Sequence, residues 1–131
     1  MKRILSHKGI VRLVKGAYRE TPKVAYTKSK DIDKNYLKLM KILFQKSKRF
    51  SVATHDDKLI ARAVELNKKY KRNIEFETLY GVRQKLIMEL VNEGNRVGVY
   101  LPYGTEWLPY GLRRIRERKR NILFLFRALI S

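Results

Sequence analysis

Four short apolar runs, each closed by turn or cap residues and followed by apolar residues at helical spacing, leave this chain few ways to fold. The runs are residues 10–14 (Ile-Val-Arg-Leu-Val), 50–53, 74–79 and 97–101. Each has the length of a strand, and the stretches between them read as amphipathic helices. Asp31 starts the first helix, with Ile32, Tyr36, Leu39, Met40, Leu43 and Phe44 as its core stripe. Asp56 or Asp57 caps the second, which buries Leu59, Ile60, Ala63, Val64 and Tyr70. Val82, Leu86, Ile87, Leu90 and Val91 form the third, stopped by Gly94. A fourth helical segment follows residue 106, and Asn121 caps a last apolar helix over residues 122–130. Strands alternating with helices in this way predict parallel β/α units wound right-handedly.

The residues of unusual chemistry obey one rule in that frame. Lys15-Gly16-Ala17 follows the first run, Thr54-His55 the second, Leu79-Tyr80-Gly81 the third and Tyr100-Leu101-Pro102 the fourth. All fall at carboxyl ends of strands, the end at which parallel α/β proteins bind ligands. Thr54 and His55 either complete a helix cap or offer polar groups to a ligand. Arg12, inside a strand, needs a partner, either a structural ion pair or an anionic ligand or cofactor. Further on, Tyr110, Arg113, Arg114 and Glu117 recur at helical steps, so they form either a solvated basic face or an aromatic wall beside guanidinium forks suited to a small carboxylate. No Gly-rich dinucleotide or P-loop fingerprint is present, so a cofactor would be held by scattered strand ends.

Composition narrows the function classes. The net charge of +19, from 31 Lys and Arg against 12 acids, creates a potential that attracts polyanions or anionic lipid, although thermophilic proteins also carry abundant surface charge. Only residues 113–120 form a dense basic block, and no helix-turn-helix, zinc-finger or RNP-type motif accompanies it. A nucleic-acid or membrane-surface module therefore stands as the alternative rather than the leading reading. The absence of cysteine excludes disulfides and thiol chemistry, and two histidines are too few for a His-rich metal site. With no apolar run of about 18 residues and no secretory h-region, the expected location is cytoplasmic, with peripheral contact at a membrane left open.

Five motifs, in order, resemble the flavin-dependent proline dehydrogenases, including the corresponding domain of proline utilization A. They are Val11-Arg12-Leu13-Val14-Lys15-Gly16-Ala17-Tyr18, Val52-Ala53-Thr54-His55-Asp56, Leu79-Tyr80-Gly81-Val82-Arg83, Val99-Tyr100-Leu101-Pro102-Tyr103-Gly104, and Tyr110-Gly111-Leu112-Arg113-Arg114 with Glu117. The resemblance extends to the closing Asn121-Ile122-Leu123-Phe124 segment and so covers nearly the whole chain.

That family folds as a distorted (β/α)8 barrel of TIM type, and the resemblance implies that these strands are its fifth to eighth, with a carboxyl-terminal helix. Such a barrel takes about 250 residues, so residues 1–131 are expected to form the carboxyl-terminal half of the domain. A split gene, a truncated frame and an inactive copy are the three origins open to such a half. The implied reaction is oxidation of L-proline to 1-pyrroline-5-carboxylate by hydride transfer to FAD, with electrons passing on to a quinone. By the same resemblance Arg12 lies against the flavin, Lys15, Gly16 and Ala17 line FAD, and Thr54 and His55 contact its adenosine side. Arg113 and Arg114 hold the substrate carboxylate, and Leu79, Tyr100 and Tyr110 wall the proline ring. Glu117 stands where the family pairs a carboxylate with a lysine of its first half. The implied partners are a second chain supplying the other half-barrel, or a second copy of this one.

Overall fold

Along the third run, Ile74, Phe76 and Thr78 are buried while Glu75, Glu77 and Leu79 are half-buried, the two-residue alternation of a strand covered fully on one face only. The computed structural model describes residues 4, 9–15, 20–80, 82–101 and 104. Within them, strands β1 (Val11–Val14), β2 (Arg49–Ala53), β3 (Asn73–Leu79) and β4 (Arg96–Tyr100) alternate with helices α1 (Ser29–Lys46), α2 (Asp57–Tyr70) and α3 (Gln84–Asn92). The strands form one parallel sheet in the order β1-β2-β3-β4. Gly16, Ala17, Tyr110, Arg113, Arg114, Glu117 and the helix expected from Asn121 lie outside the described residues.

A single core lies between the sheet and the helices. Leu13, Phe50, Val52, Ile74 and Phe76 from the sheet meet Tyr36, Met40, Leu43 and Phe44 of α1, Leu59, Ile60, Ala63 and Leu66 of α2, and Leu90 of α3. All three helices thus bury their apolar stripes on the same face. Phe44 and Phe50 meet edge to face, with ring centroids 4.9 Å apart. Truncation of a wholly buried side chain such as Phe76 would cost about 3–5 kcal/mol. Arg72 ties α1 to the loop before β3, donating from Nε to the Phe44 carbonyl at 2.9 Å, where the helix leaves its last carbonyls unsatisfied.

The strands begin within one residue of the sequence expectation, and larger or more telling departures occur at two helix starts and at the end of β4. α1 begins at Ser29, so Asp31 sits in its first turn, where its charge suits the helix dipole, and no side chain caps the end. α3 begins at Gln84 rather than Val82, because Arg83 at its N-cap adopts a left-handed conformation (φ 56°) that stops the helix from extending backwards. β4 closes at Tyr100, one residue before Leu101. Gly94 does end α3, with φ 78°, and its N–H reaches the Val91 carbonyl at 2.9 Å.

Candidate functional site

The register brings the strand-end residues onto one rim. Lys15 continues β1 and donates its N–H to the Ala53 carbonyl at 3.0 Å, which sets it beside the β2 end that carries Thr54 and His55. Leu79 and Tyr100 are register partners, and the Tyr80 N–H extends their pairing to the Tyr100 carbonyl at 2.9 Å. Tyr100 is about half exposed, as suits a residue with room beside it for another group.

Below that rim, the sheet face turned away from the helices carries two rows. Arg12, Ser51, Glu75 and Arg96 form the first, and Val14, Ala53, Glu77 and Gly98 the second, nearer the carboxyl ends. Arg12 Nε forms an ion pair with Glu77, reaching diagonally across β2. Ser51 and Ala53 leave the floor shallow over β2. At Gly98 an added Cβ would stand 2.5 Å from Glu75 Oε1, so the Glu75 carboxylate fills the space beside the bare Cα.

The loop after β2 is held from both sides. Thr54 is buried, and its Oγ1 accepts the Asp56 N–H at 3.2 Å. Asp56 caps α2, its Oδ1 accepting the N–H groups of Lys58 and Leu59 at 3.1 and 3.3 Å. The Lys15 ammonium lies 2.7 Å from the other oxygen of Asp56 and 2.5 Å from Asp33 on α1. Burial works against the Lys15 charge, but the hydrogen bonds and charges of Asp33 and Asp56 outweigh it, and its pKa stands above the ordinary lysine value. The Asp56 pKa is held low by its hydrogen bond from Lys15, against some burial, with the α2 backbone N–H groups adding to the shift. Tyr36 closes the cluster from α1, donating its hydroxyl to the Leu13 carbonyl at 3.0 Å. Burial and then the Asp56 charge raise its pKa well above that of free tyrosine.

On the other side of the loop, Arg83 donates from Nη1 to the His55 carbonyl at 2.8 Å and pairs through Nη2 with Asp57. Burial and the Arg83 charge lower the His55 pKa, so the ring is neutral at physiological pH. Its Nδ1 is buried with no hydrogen-bond partner among the described residues. A buried unpaired ring nitrogen costs about 1–3 kcal/mol, which a ligand bonded to it would relieve.

Sequence reasoning had no role for Arg83, Glu77, Asp33 or Tyr36. Arg83 stood within a quoted motif and Tyr36 within a core stripe, yet their partners are 28 and 23 residues away along the chain. Among the described residues there is no group of acidic or histidine side chains able to hold a metal, and no helix long and apolar enough to cross a membrane.

Comparison with known proteins agrees with the motif order. The family model for proline dehydrogenase matches residues 5–127. The chain is similar to proline dehydrogenase 2 of Bacillus subtilis strain 168, with 42% identity over 122 residues, covering 91% of this chain and 40% of that protein. It is also similar to proline dehydrogenase 1 of the same strain, at 39% identity over 92% of this chain and 41% of the relative. With the proline dehydrogenase of Deinococcus radiodurans it shares 42% identity over 92% of this chain and 40% of the relative. The chain spans about two-fifths of the length of the curated relatives it matches. Four parallel strands joined by three helices, with distinctive chemistry at their carboxyl rim, and a family match over residues 5–127 make this chain a member of the proline dehydrogenase family.

Proposed function

We propose that this chain supplies four consecutive units, equivalent to strands five to eight, of a (β/α)8 barrel that oxidises L-proline to 1-pyrroline-5-carboxylate with FAD as cofactor. The observation that carries the barrel reading is the sheet itself. Its strands follow chain order, the three described helices contribute to one core on one face, and the other face carries the charged residues Arg12, Glu75, Glu77 and Arg96. A doubly wound sheet would bury both faces. A sheet covered on one face, with strand order equal to chain order, suits an arc of a barrel wall whose uncovered face is the interior. The other four strands then come from outside these 131 residues.

The residues at the rim suit a flavin. The Nδ1 of His55, unpaired among the described residues, is open to a polar partner, the small Ser51 and Ala53 leave room for a flat ring, and Arg12 places a cation beside it. FAD, when bound, supplies the hydride acceptor. Arg12 contributes positive charge where the ring becomes electron-rich. Lys15, Gly16 and Ala17 line the cofactor after β1, and the two small residues permit close approach. Thr54 and His55 serve its adenosine side. Arg113 and Arg114 hold the proline carboxylate, while Leu79, Tyr100 and Tyr110 enclose the ring and exclude water from the carbon that loses hydride. Electrons then leave to a quinone, which belongs with a cytoplasmic protein in peripheral contact with a membrane.

The test is to mix the chain with the first four β/α units of one of its relatives, add FAD, and titrate with L-proline under anaerobic conditions. Loss of the visible flavin absorbance, dependent on both pieces, is the expected result. Failure of the mixture to retain flavin refutes the reading, and robust proline oxidation by the 131-residue chain alone refutes the need for added strands.

A further inference from the structure

We infer that Glu77 is a positioning residue that draws the Arg12 guanidinium toward the carboxyl rim of the sheet, an inference that rests on the flavin reading only for what the guanidinium meets there. The register states the problem. Arg12 shares its row with Ser51, Glu75 and Arg96, so the carboxylate level with it on β3 is Glu75. Glu77 lies two residues further on, about 6–7 Å nearer the carboxyl ends at the rise of a parallel strand. Arg12 nevertheless pairs with Glu77.

Three features of the face produce that choice. Ser51 and Ala53, the β2 residues between the partners, are small enough to be crossed. Glu75 is engaged on its far side, 3.4 Å from Arg96 Nη2, while Arg96 Nη1 donates to Asn73 at 3.0 Å. Gly98 lets Glu75 lean that way, since its bare Cα is the space into which the Glu75 carboxylate projects. Glu75 is thereby turned toward β4, and Glu77 is left for Arg12. The Glu77 side chain is 20% exposed and that of Arg12 50%, so the anchor is sheltered while the cation keeps an open side. An arginine fixed in this way has already lost its rotamer freedom before any ligand arrives.

The test has one arm without ligand and one with flavin. In the ligand-free full chain labelled at arginine nitrogens, the Arg12 Nε–H signal, assigned by its loss in Arg12→Lys, is expected to be protected from exchange in the wild type. It should lose protection in Glu77→Gln and keep it in Glu75→Gln. In the flavin-loaded protein, the midpoint potential separates positioning from simple charge. Removing a carboxylate while Arg12 stays in place raises the potential, whereas releasing Arg12 from the rim lowers it. Glu77→Gln is expected to lower it by a tenfold shift in the oxidation equilibrium, about 30 mV for a two-electron couple. Glu77→Asp should lie between, and Arg96→Gln should shift it the same way because freed Glu75 competes for Arg12. An unchanged or raised potential in Glu77→Gln overturns the inference. If the wild type binds no flavin, the functional reading fails by itself. The exchange arm then decides the role of Glu77, and an Arg12 signal indifferent to Glu77→Gln sinks it.

Discussion

Replacing Lys15 by Met is the most direct probe of how the β2–α2 loop is held, because the change keeps most of the apolar stem and removes only the ammonium. In the wild type that group lies 2.5 Å from Asp33 and 2.7 Å from Asp56, and its side chain is 14% exposed against 38% and 31% for the two carboxylates. Breaking a fully buried pair costs about 3–5 kcal/mol, while a fully exposed pair contributes only about 0.2–1 kcal/mol. A buried ammonium facing two carboxylates that water can partly reach falls between them, so Lys15→Met should cost about 2 kcal/mol, or about 6–10 °C in Tm for a chain of this size. Asp56→Asn separates the ion pair from the cap. The amide oxygen still accepts from Lys58 and Leu59, and the expected loss is about 1 kcal/mol. Urea denaturation followed by circular dichroism on the single variants and the double variant gives the coupling, expected near 1 kcal/mol.

The pH dependence supplies a second check. The depressed Asp56 pKa means its contribution is complete above about pH 4 and fades as pH falls through the folded value. The raised Lys15 pKa means its contribution is complete below about pH 10.4 and fades as pH rises through the folded value. The Met variant should lack the Lys15 part of that alkaline loss. A cost below about 0.5 kcal/mol, or strictly additive single and double variants, would refute the picture of a clamped loop.

Four further outcomes are expected. His55 is favoured neutral in the fold, so stability should fall as pH drops below about 6.5, and His55→Gln should flatten that slope in pH-dependent melts. Gly98→Ala should change stability by no more than about 0.5 kcal/mol, because the atom its Cβ meets is the mobile end of Glu75, yet a crystal structure should show that carboxylate displaced from Arg96. Ile10 and Val14 at β1, and Val99, Tyr100 and Leu101 at β4, are exposed beside sheet edges unpaired among the described residues. Sedimentation should therefore show the isolated chain self-associating as concentration rises, and a monomer at all concentrations would contradict this. On the proposed reading of Arg113 and Arg114 as the carboxylate clamp, Arg113→Met or Arg114→Met should cost about 2–4 kcal/mol of substrate binding, seen as KM rising roughly 30-fold with kcat changing less.

The strands and helices were legible because their burial is periodic. Apolar residues at every second position of β3 and at three- and four-residue steps on α1 and α2 are signals a single sequence contains. Their parallel pairing followed from alternation with helices, and a cap from Asp56 or Asp57 followed from their place before the apolar stripe, the structure choosing Asp56. Long-range polar partners were not legible. Lys15 and Asp56 are 41 residues apart, and nothing local distinguishes Asp56 from Asp57 as the one that meets an ammonium. Arg83 was hidden for a different reason. Arginine has no preference for the left-handed region, so its conformation is imposed by contacts with His55 and Asp57 that exist only once the loops are assembled. For Arg12 the sequence left two readings open, and the ion pair with Glu77 is one of them. An arginine held by a carboxylate can still meet a ligand, so that pair does not displace the other reading.

The agreement between the order of the strands in space and their order along the chain has a consequence for synthesis and for rearrangement. Within the described sheet, each strand emerging from a ribosome pairs with the one made just before it, and no internal pairing waits for a distant partner. Intermediates therefore grow by accretion at a single edge rather than by threading a late strand between two early ones. A break in any helix-to-strand connection leaves two pieces whose internal pairings are intact, as in linear repeat proteins, where each module contacts mainly its neighbours. Genes for such walls can be cut, fused or duplicated between modules without scrambling what remains.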